Sequence, residues 1–159
     1  MPAILRMRYS RVLSVLLAAV LAATLFTFAP PAEAMTRAQR VAVALDVVRA
    51  QKGDPYRYGA AGPNAFDCSG LLYYSYRRAG FTGMPRTSSQ QASHARRITR
   101  SAMRKGDFVF FTSGGHVYHA AVFAGWSNGR RYIIHASRAG TPVKRDPIWT
   151  SSWFPGTLR

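Results

Sequence analysis

One cysteine, Cys68, and four histidines, His94, His116, His119 and His135, are the residues of this chain best suited to nucleophilic chemistry. A thiolate attacks carbonyl carbon readily, but it needs a base, normally an imidazole, within hydrogen-bond reach. Cys68 stands in FDCSGLLYYSYRRAG (residues 66–80), where Asp67 can cap a helix that begins at the cysteine. The unpaired N–H groups of a first helical turn and the helix dipole favour negative charge. A thiolate is therefore expected to form more easily at Cys68 than on a free cysteine. The competing reading is a buried, inert thiol. A lone cysteine excludes an internal disulfide and any CxxC metal site.

The base must come from the histidines. His94 lies in a basic stretch and reads as solvated. His116 and His119 both stand near the start of a strand, VYHAAVFA, and their spacing does not choose between them. His135 follows Tyr132-Ile133-Ile134 in the next strand. A hairpin closed by the two residues Asn128-Gly129 puts His119 and His135 on opposite faces of the sheet. A three-residue loop, Ser127-Asn128-Gly129, or a bulge sets His135 opposite Ala121 and diagonally beside His119, about 7–8 Å away at the backbone. A site built on these two histidines thus requires the odd loop or a bulge. Metal binding fits poorly: HxxH on a strand splits its histidines between faces, and no glutamate follows Glu33 to serve as a metalloprotease base. No metal and no cofactor are expected.

The elements that would position these groups are legible in outline. Thr36 can cap a helix through RAQRVAVALDVVRAQK, with Val41, Ala44, Leu45 and Val48 on one stripe and Gly53 as its stop. A Gly- and Pro-rich loop leads to the Cys68 helix, whose Leu71, Leu72 and Tyr76 face a core and which Gly80 ends. Residues 81–105 read as loop with at most a short helix. FVFF, VYHAAVFAG and RYIIHAS then form β-strands. The tail, DPIWTSSWFPGTLR, reads as an edge segment or a cover over the sheet. Helices first and an antiparallel sheet afterwards make an α+β fold.

Length and charge bound the rest. The 159 residues allow one domain plus a short extension. Arg6, Arg8 and Arg11 precede the uncharged apolar run Val12–Phe28, and Ala32-Glu33-Ala34 has the small-x-small pattern of a signal-peptidase site. Residues 1–34 are read as a cleaved signal peptide in preference to a membrane anchor, because Pro30 and Pro31 break the helix before the small residues. Removing three arginines and one glutamate leaves 125 residues with 19 basic and 5 acidic side chains, a net charge of +14. Such a charge attracts polyanions. For an exported chain these are anionic cell-wall polymers, so no nucleic acid is expected as partner, nor a membrane span after cleavage.

PYRYG (55–59), FDCSGLLYYSYRRAG (66–80), MPRTSSQQ (84–91), KGDFVFF (105–111), HAAVFAG (119–125) and IHAS (134–137), in that order and spacing, resemble the NlpC/P60 family of bacterial cell-wall cysteine peptidases. The resemblance covers about residues 40–145. It implies a papain-like core, with the nucleophile at a helix N-terminus packed on an antiparallel sheet that carries the base. By position it makes Cys68 the nucleophile, His119 the base, His135 the residue that orients it, and Tyr56 a contributor to the oxyanion site. With the signal peptide removed, residues 35–159 are expected to form one secreted or wall-associated domain, a monomer, and the resemblance implies that it cleaves peptidoglycan stem peptides, most often between D-glutamyl and a diamino acid. Two departures stand out. Gly59-Ala60 replaces the usual Gly-Gly, and Ala121 stands where glycine is common; a methyl at either place is expected to narrow the cleft. Rival readings are a non-catalytic wall-binding module on the same fold, a related amidase or acyltransferase, and a cationic nucleic-acid or membrane binder.

Overall fold

The computed structural model describes residues 34–159, so the expected signal segment lies, apart from Ala34, outside the described residues. Among those residues no helix is long and apolar enough to cross a membrane. The described residues form three helices and six strands: α1 (Arg37–Ala50), α2 (Cys68–Arg78), α3 (Ser88–His94), β1 (Arg96–Arg97), β2 (Phe108–Ser113), β3 (His116–Ser127), β4 (Arg130–His135), β5 (Lys144–Pro147) and β6 (Trp153–Thr157). The helices precede one antiparallel sheet in the order β1-β6-β2-β3-β4-β5, the α+β arrangement expected.

Local chemistry sets the helix starts. Thr36 closes a full capping box on α1: its hydroxyl accepts from Gln39 N, and the Gln39 amide oxygen accepts from Thr36 N. Asp67 caps α2 by accepting from Gly70 N at 2.6 Å. The basic stretch after residue 80 is more ordered than its composition suggests. Thr87 and Gln90 form a second capping box that starts α3, and a 3₁₀ turn follows at Arg100–Ala102.

The expected stripe of α1, Val41, Ala44, Leu45 and Val48, is buried against Leu71, Leu72 and Tyr76 of α2 and against Phe108, Phe110, Val122 and Ile134 of the sheet. Alternate strand residues, Val109, Phe111, Ala121, Phe123 and Ile133, form a second core on the other face with Trp153. Both faces of β2 are therefore covered, which is why FVFF shows no polar alternation. The tail departs from expectation. β6 is not an edge but lies between β1 and β2, and Pro155, which cannot donate to a ladder, is tolerated because β1 pairs only with Gly156 and Thr157.

One irregularity of the sheet controls the site. The β3–β4 hairpin closes on two residues, Asn128 (φ 49°) and Gly129 (φ 71°), and begins in the pairing Ser127↔Arg130. Past Gly125↔Tyr132 the register shifts by one residue, so that Phe123 faces Ile133 and Val122 faces Ile134. Ala124 is the extra residue of a bulge. Gly125 follows it at φ +118°, and a Cβ there would press on the Lys105 side chain. Continued toward the strand start, the shifted register sets His135 opposite Ala121, on the face His119 shares. Replacing Gly125 with alanine should therefore destabilise the domain by about 1–3 kcal/mol in urea unfolding, the cost of forcing a side chain into that conformation. Unchanged stability would show that the bulge does not depend on this glycine.

Candidate active site

Cys68 is the first residue of α2, and the loop before it is pressed closely onto that first turn. A Cβ at position 70 would collide with the Ala60 carbonyl, so only glycine fits the second place after the cysteine. The Asp67 carboxylate does more than cap. It also accepts from Gly59 N at 3.0 Å and forms a forked pair with Arg86, whose Nη2 lies 2.6 Å and Nη1 3.0 Å from its two oxygens. Arg86 also reaches Ser69 Oγ at 3.0 Å, tying MPRTSSQQ to FDCSG. The Asp67 carboxyl is held below its usual range: burial raises it, but the bonds from Arg86 and Gly70 N outweigh that effect.

Cys68 is half-buried and lines an open cleft of about 470 Å³ with Tyr56, Tyr58, Asp67, Arg86 and Tyr118. Its thiol is pushed up, not down. Burial is the largest cause and the Asp67 charge adds to it, while the Ala120 and Ser69 N–H groups pull the other way. The expectation of an easily formed thiolate is thus corrected: an acidic cap next door and partial burial offset the helix N-terminus. The Tyr56 hydroxyl is raised too, by burial first and then by the Cys68 and Asp67 charges, and Tyr56 lines the same cleft as the sulfur. The Ala120 N–H directed at the thiol brings the start of β3 against α2.

His119 and His135 are both buried, and the bulge brings them into contact: His119 Nε2 lies 2.8 Å from His135 Nδ1. His135 Nε2 in turn lies 3.1 Å from Asp146 Oδ2 on β5, a carboxylate that also pairs with Lys144 at 3.0 Å. Asp146 reaches His135 diagonally, because Lys144 is the residue directly opposite His135 and Asp146 is opposite Ile133. The His119 pKa falls to about 3, through burial first and His135 second; that of His135 is lowered by burial against the pull of Asp146. Both rings are neutral at pH 7. A carboxylate only accepts, so His135 Nε2 carries its proton and His135 Nδ1 accepts; His119 Nε2 must then donate. The lone pair of His119 is left on Nδ1. With the thiol pushed up and the His119 imidazole pushed down, the two are a neutral thiol and a neutral ring at pH 7.

Aromatic rings wall this chain of groups. The Phe111 and Tyr118 rings flank His119, and Trp149 stacks on Phe111 at 4.3 Å while lying 5.4 Å from His135. His94 and His116 are exposed and take no part. Ala121 is fully buried in the second core and neither it nor Ala60 lines the cleft, so the expected narrowing by their methyls does not occur. Asp146, Arg86 and Trp149 are site components that the sequence reading passed over. Asp146 was detectable in principle: on a strand paired next to His135 it falls on the histidine's face.

The NlpC/P60 family pattern matches residues 53–159. A probable endopeptidase of Corynebacterium glutamicum is 38% identical over 120 residues, covering 76% of this chain and 54% of its own. Murein DD-endopeptidase MepH of Escherichia coli is 34% identical over 116 residues, covering 70% of this chain and 41% of its own. The chain thus spans about half, or less, of the length of these relatives. RipD of Mycobacterium tuberculosis, a non-catalytic NlpC/p60 domain protein adapted to peptidoglycan binding, superposes with a TM-score of 0.62 at 23% identity over 76% of this chain and 98% of RipD. At that identity the likeness speaks for the fold.

The protonation states lead to a direct test. Alkylation of Cys68 by iodoacetamide should climb with pH and reach half its maximum above the ordinary thiol value of 9.0. A rate already flat at pH 6–7 would show a standing thiolate–imidazolium pair instead.

Proposed function

The chain belongs to the NlpC/P60 family, and on that basis we propose that it is a cysteine peptidase that hydrolyses peptidoglycan stem peptides with Cys68 as nucleophile, His119 as base and His135 as orienting residue. The observation that carries this reading is the ordered run His119–His135–Asp146, which leaves a basic Nδ1 on a neutral ring at the end of the strand packed on Cys68. The relatives' names support the substrate class: one is a probable endopeptidase and one a murein endopeptidase. The bond we propose is D-glutamyl–diamino acid. The signal-like N-terminus supports action outside the membrane, secreted or held at the wall.

When a peptide carbonyl settles in the cleft, His119 Nδ1 takes the thiol proton and the sulfur attacks carbon. The carbonyl oxygen gains charge beside the unpaired N–H of the first helical residue, Cys68, and the Tyr56 hydroxyl, both suited to stabilise it. His119 returns its proton to the leaving amine, and water then cleaves the thioester by the reverse transfers. A neutral resting pair suits this sequence, since no ion pair has to be desolvated when substrate displaces water. In this account Asp146 is a positioning residue: it holds His135 in the tautomer that makes His119 a donor at Nε2.

Mass spectrometry of purified muropeptides incubated with the protein should show new fragments ending at D-glutamate. Cys68→Ala should remove them and leave the circular dichroism spectrum unchanged; persistent cleavage would refute the mechanism. Cleavage at a D-alanyl bond would retain the mechanism and replace the bond. Asp146→Ala should lower kcat about tenfold with KM nearly constant, as expected for loss of an orienting partner, and Asp146→Asn, which still offers an acceptor oxygen, should recover most of it. Equal losses in both variants would mean that Asp146 acts through its charge and not through the ring it holds.

A further inference from the structure

All three tryptophans of the chain line one groove, away from the cleft at Cys68. Trp126, Trp149 and Trp153 share it with Arg100, Arg130 and Arg131, around a volume of about 440 Å³, and no carboxylate is among the lining residues. Trp126 is 55% and Trp149 52% exposed, an unusual state for the largest apolar side chains. The cations are interleaved with the rings: Arg131 lies 4.3 Å above the Trp126 ring and 5.7 Å from that of Trp153, and Arg100 lies 4.1 Å above Trp153. Arg100 is anchored by the Ser151 and Trp153 carbonyls, whereas Arg131 Nε is buried with no hydrogen-bond acceptor. The Arg130 side chain, at the exposed hairpin tip, makes no hydrogen bond or ion pair among the described residues.

We propose that this groove is a second binding site, for an anionic polymer that carries sugar rings along a phosphodiester backbone. Flat indole faces suit the C–H faces of sugar rings, and guanidinium groups between them suit phosphate oxygens at the intervals such a polymer supplies. The groove also has a direction. It runs from the hairpin tip to Trp149, whose ring sits 5.4 Å from His135 and 6.0 Å from His119. A polymer bound along it would end against the wall of the proposed active site, so that a wall-attached chain would hold the enzyme next to its peptide substrate. The net charge of +14 on residues 35–159 draws the protein broadly to the polyanion, and this patch reads the sugar. The choice of a wall polymer rests on the function proposed above; the groove itself does not.

Because every tryptophan lines the groove, tryptophan emission reports on its occupancy. Titration with delipidated, glucosylated polyglycerol phosphate should produce a saturable emission change whose midpoint weakens about tenfold between 50 and 200 mM salt. The double variant Trp126→Ala, Arg130→Ala should weaken binding at least tenfold, yet cleave soluble muropeptides at the wild-type rate, since neither residue touches the imidazoles or the sulfur. The proposal is overturned if no emission change occurs or if the double variant binds as tightly as wild type. It is equally overturned if inorganic polyphosphate, which has charge without rings, or an oligodeoxythymidylate, which has rings of another kind, binds as tightly. Muropeptide cleavage is read separately, so loss of that activity would count against the peptidase and not against the groove.

Discussion

Two neutral imidazoles joined by a single hydrogen bond can share only one proton between them, and which ring holds it depends on what lies beyond. Here the far neighbour is the Asp146 carboxylate, which accepts from His135 Nε2 and so sends every proton in the run toward β5. The near end, His119 Nδ1, is left as an acceptor. The arrangement needs diagonal contacts across two strand pairs. The β4–β5 contact comes from regular pairing, whereas the β3–β4 contact exists because Ala124 bulges and shifts the register. Without that extra residue, a two-residue hairpin would turn the rings to opposite faces.

The setting of Cys68 involves a compromise between folding and ionisation. A helix that starts at Cys68 needs its first turn capped, and Asp67 supplies the cap, but its negative charge lies beside the sulfur and opposes ionisation. Arg86 offsets part of that charge through its forked pair and joins the loop before α3 to the helix start. The result is a protonated thiol at rest on α2 and, on β3, an imidazole that stays neutral far below pH 6.5 because it is buried. In the mechanism proposed above, these two groups would work from one protonation state over a wide pH range, with the sulfur becoming nucleophilic only when a substrate fills the cleft.

Much of this was legible in the residues because the controlling interactions are local. Caps at Thr36 and Asp67, stops at glycine and the apolar stripe of α1 are decided within one or two turns, and they appear where expected. The parity of the hairpin showed that a functional His119–His135 pair needed an odd loop or a bulge. It did not show which, since the bulge depends on Gly125 adopting a positive φ beside Lys105, a residue twenty positions earlier. The β6 position was misread because two tryptophans and two prolines look like a surface cover, while the neighbour that makes an inner strand tolerable is only two residues long. Asp146 and Arg86 escaped notice for a related reason. Each acts on a residue eleven or more positions away, through pairing or packing that no local pattern encodes. The thiol's direction of shift is not legible from the helix N-terminus alone, because burial and the Asp67 carboxylate act against it.

Nitrogen NMR of the two buried imidazoles tests the central claim most directly. At pH 7 both rings should appear as neutral Nε2–H tautomers, with His119 Nδ1 at the shift of an unprotonated nitrogen and unchanged when the pH is lowered to 5. A proton on His119 Nδ1 at neutral pH, or a His119 ring that titrates near 6.5, would contradict the account.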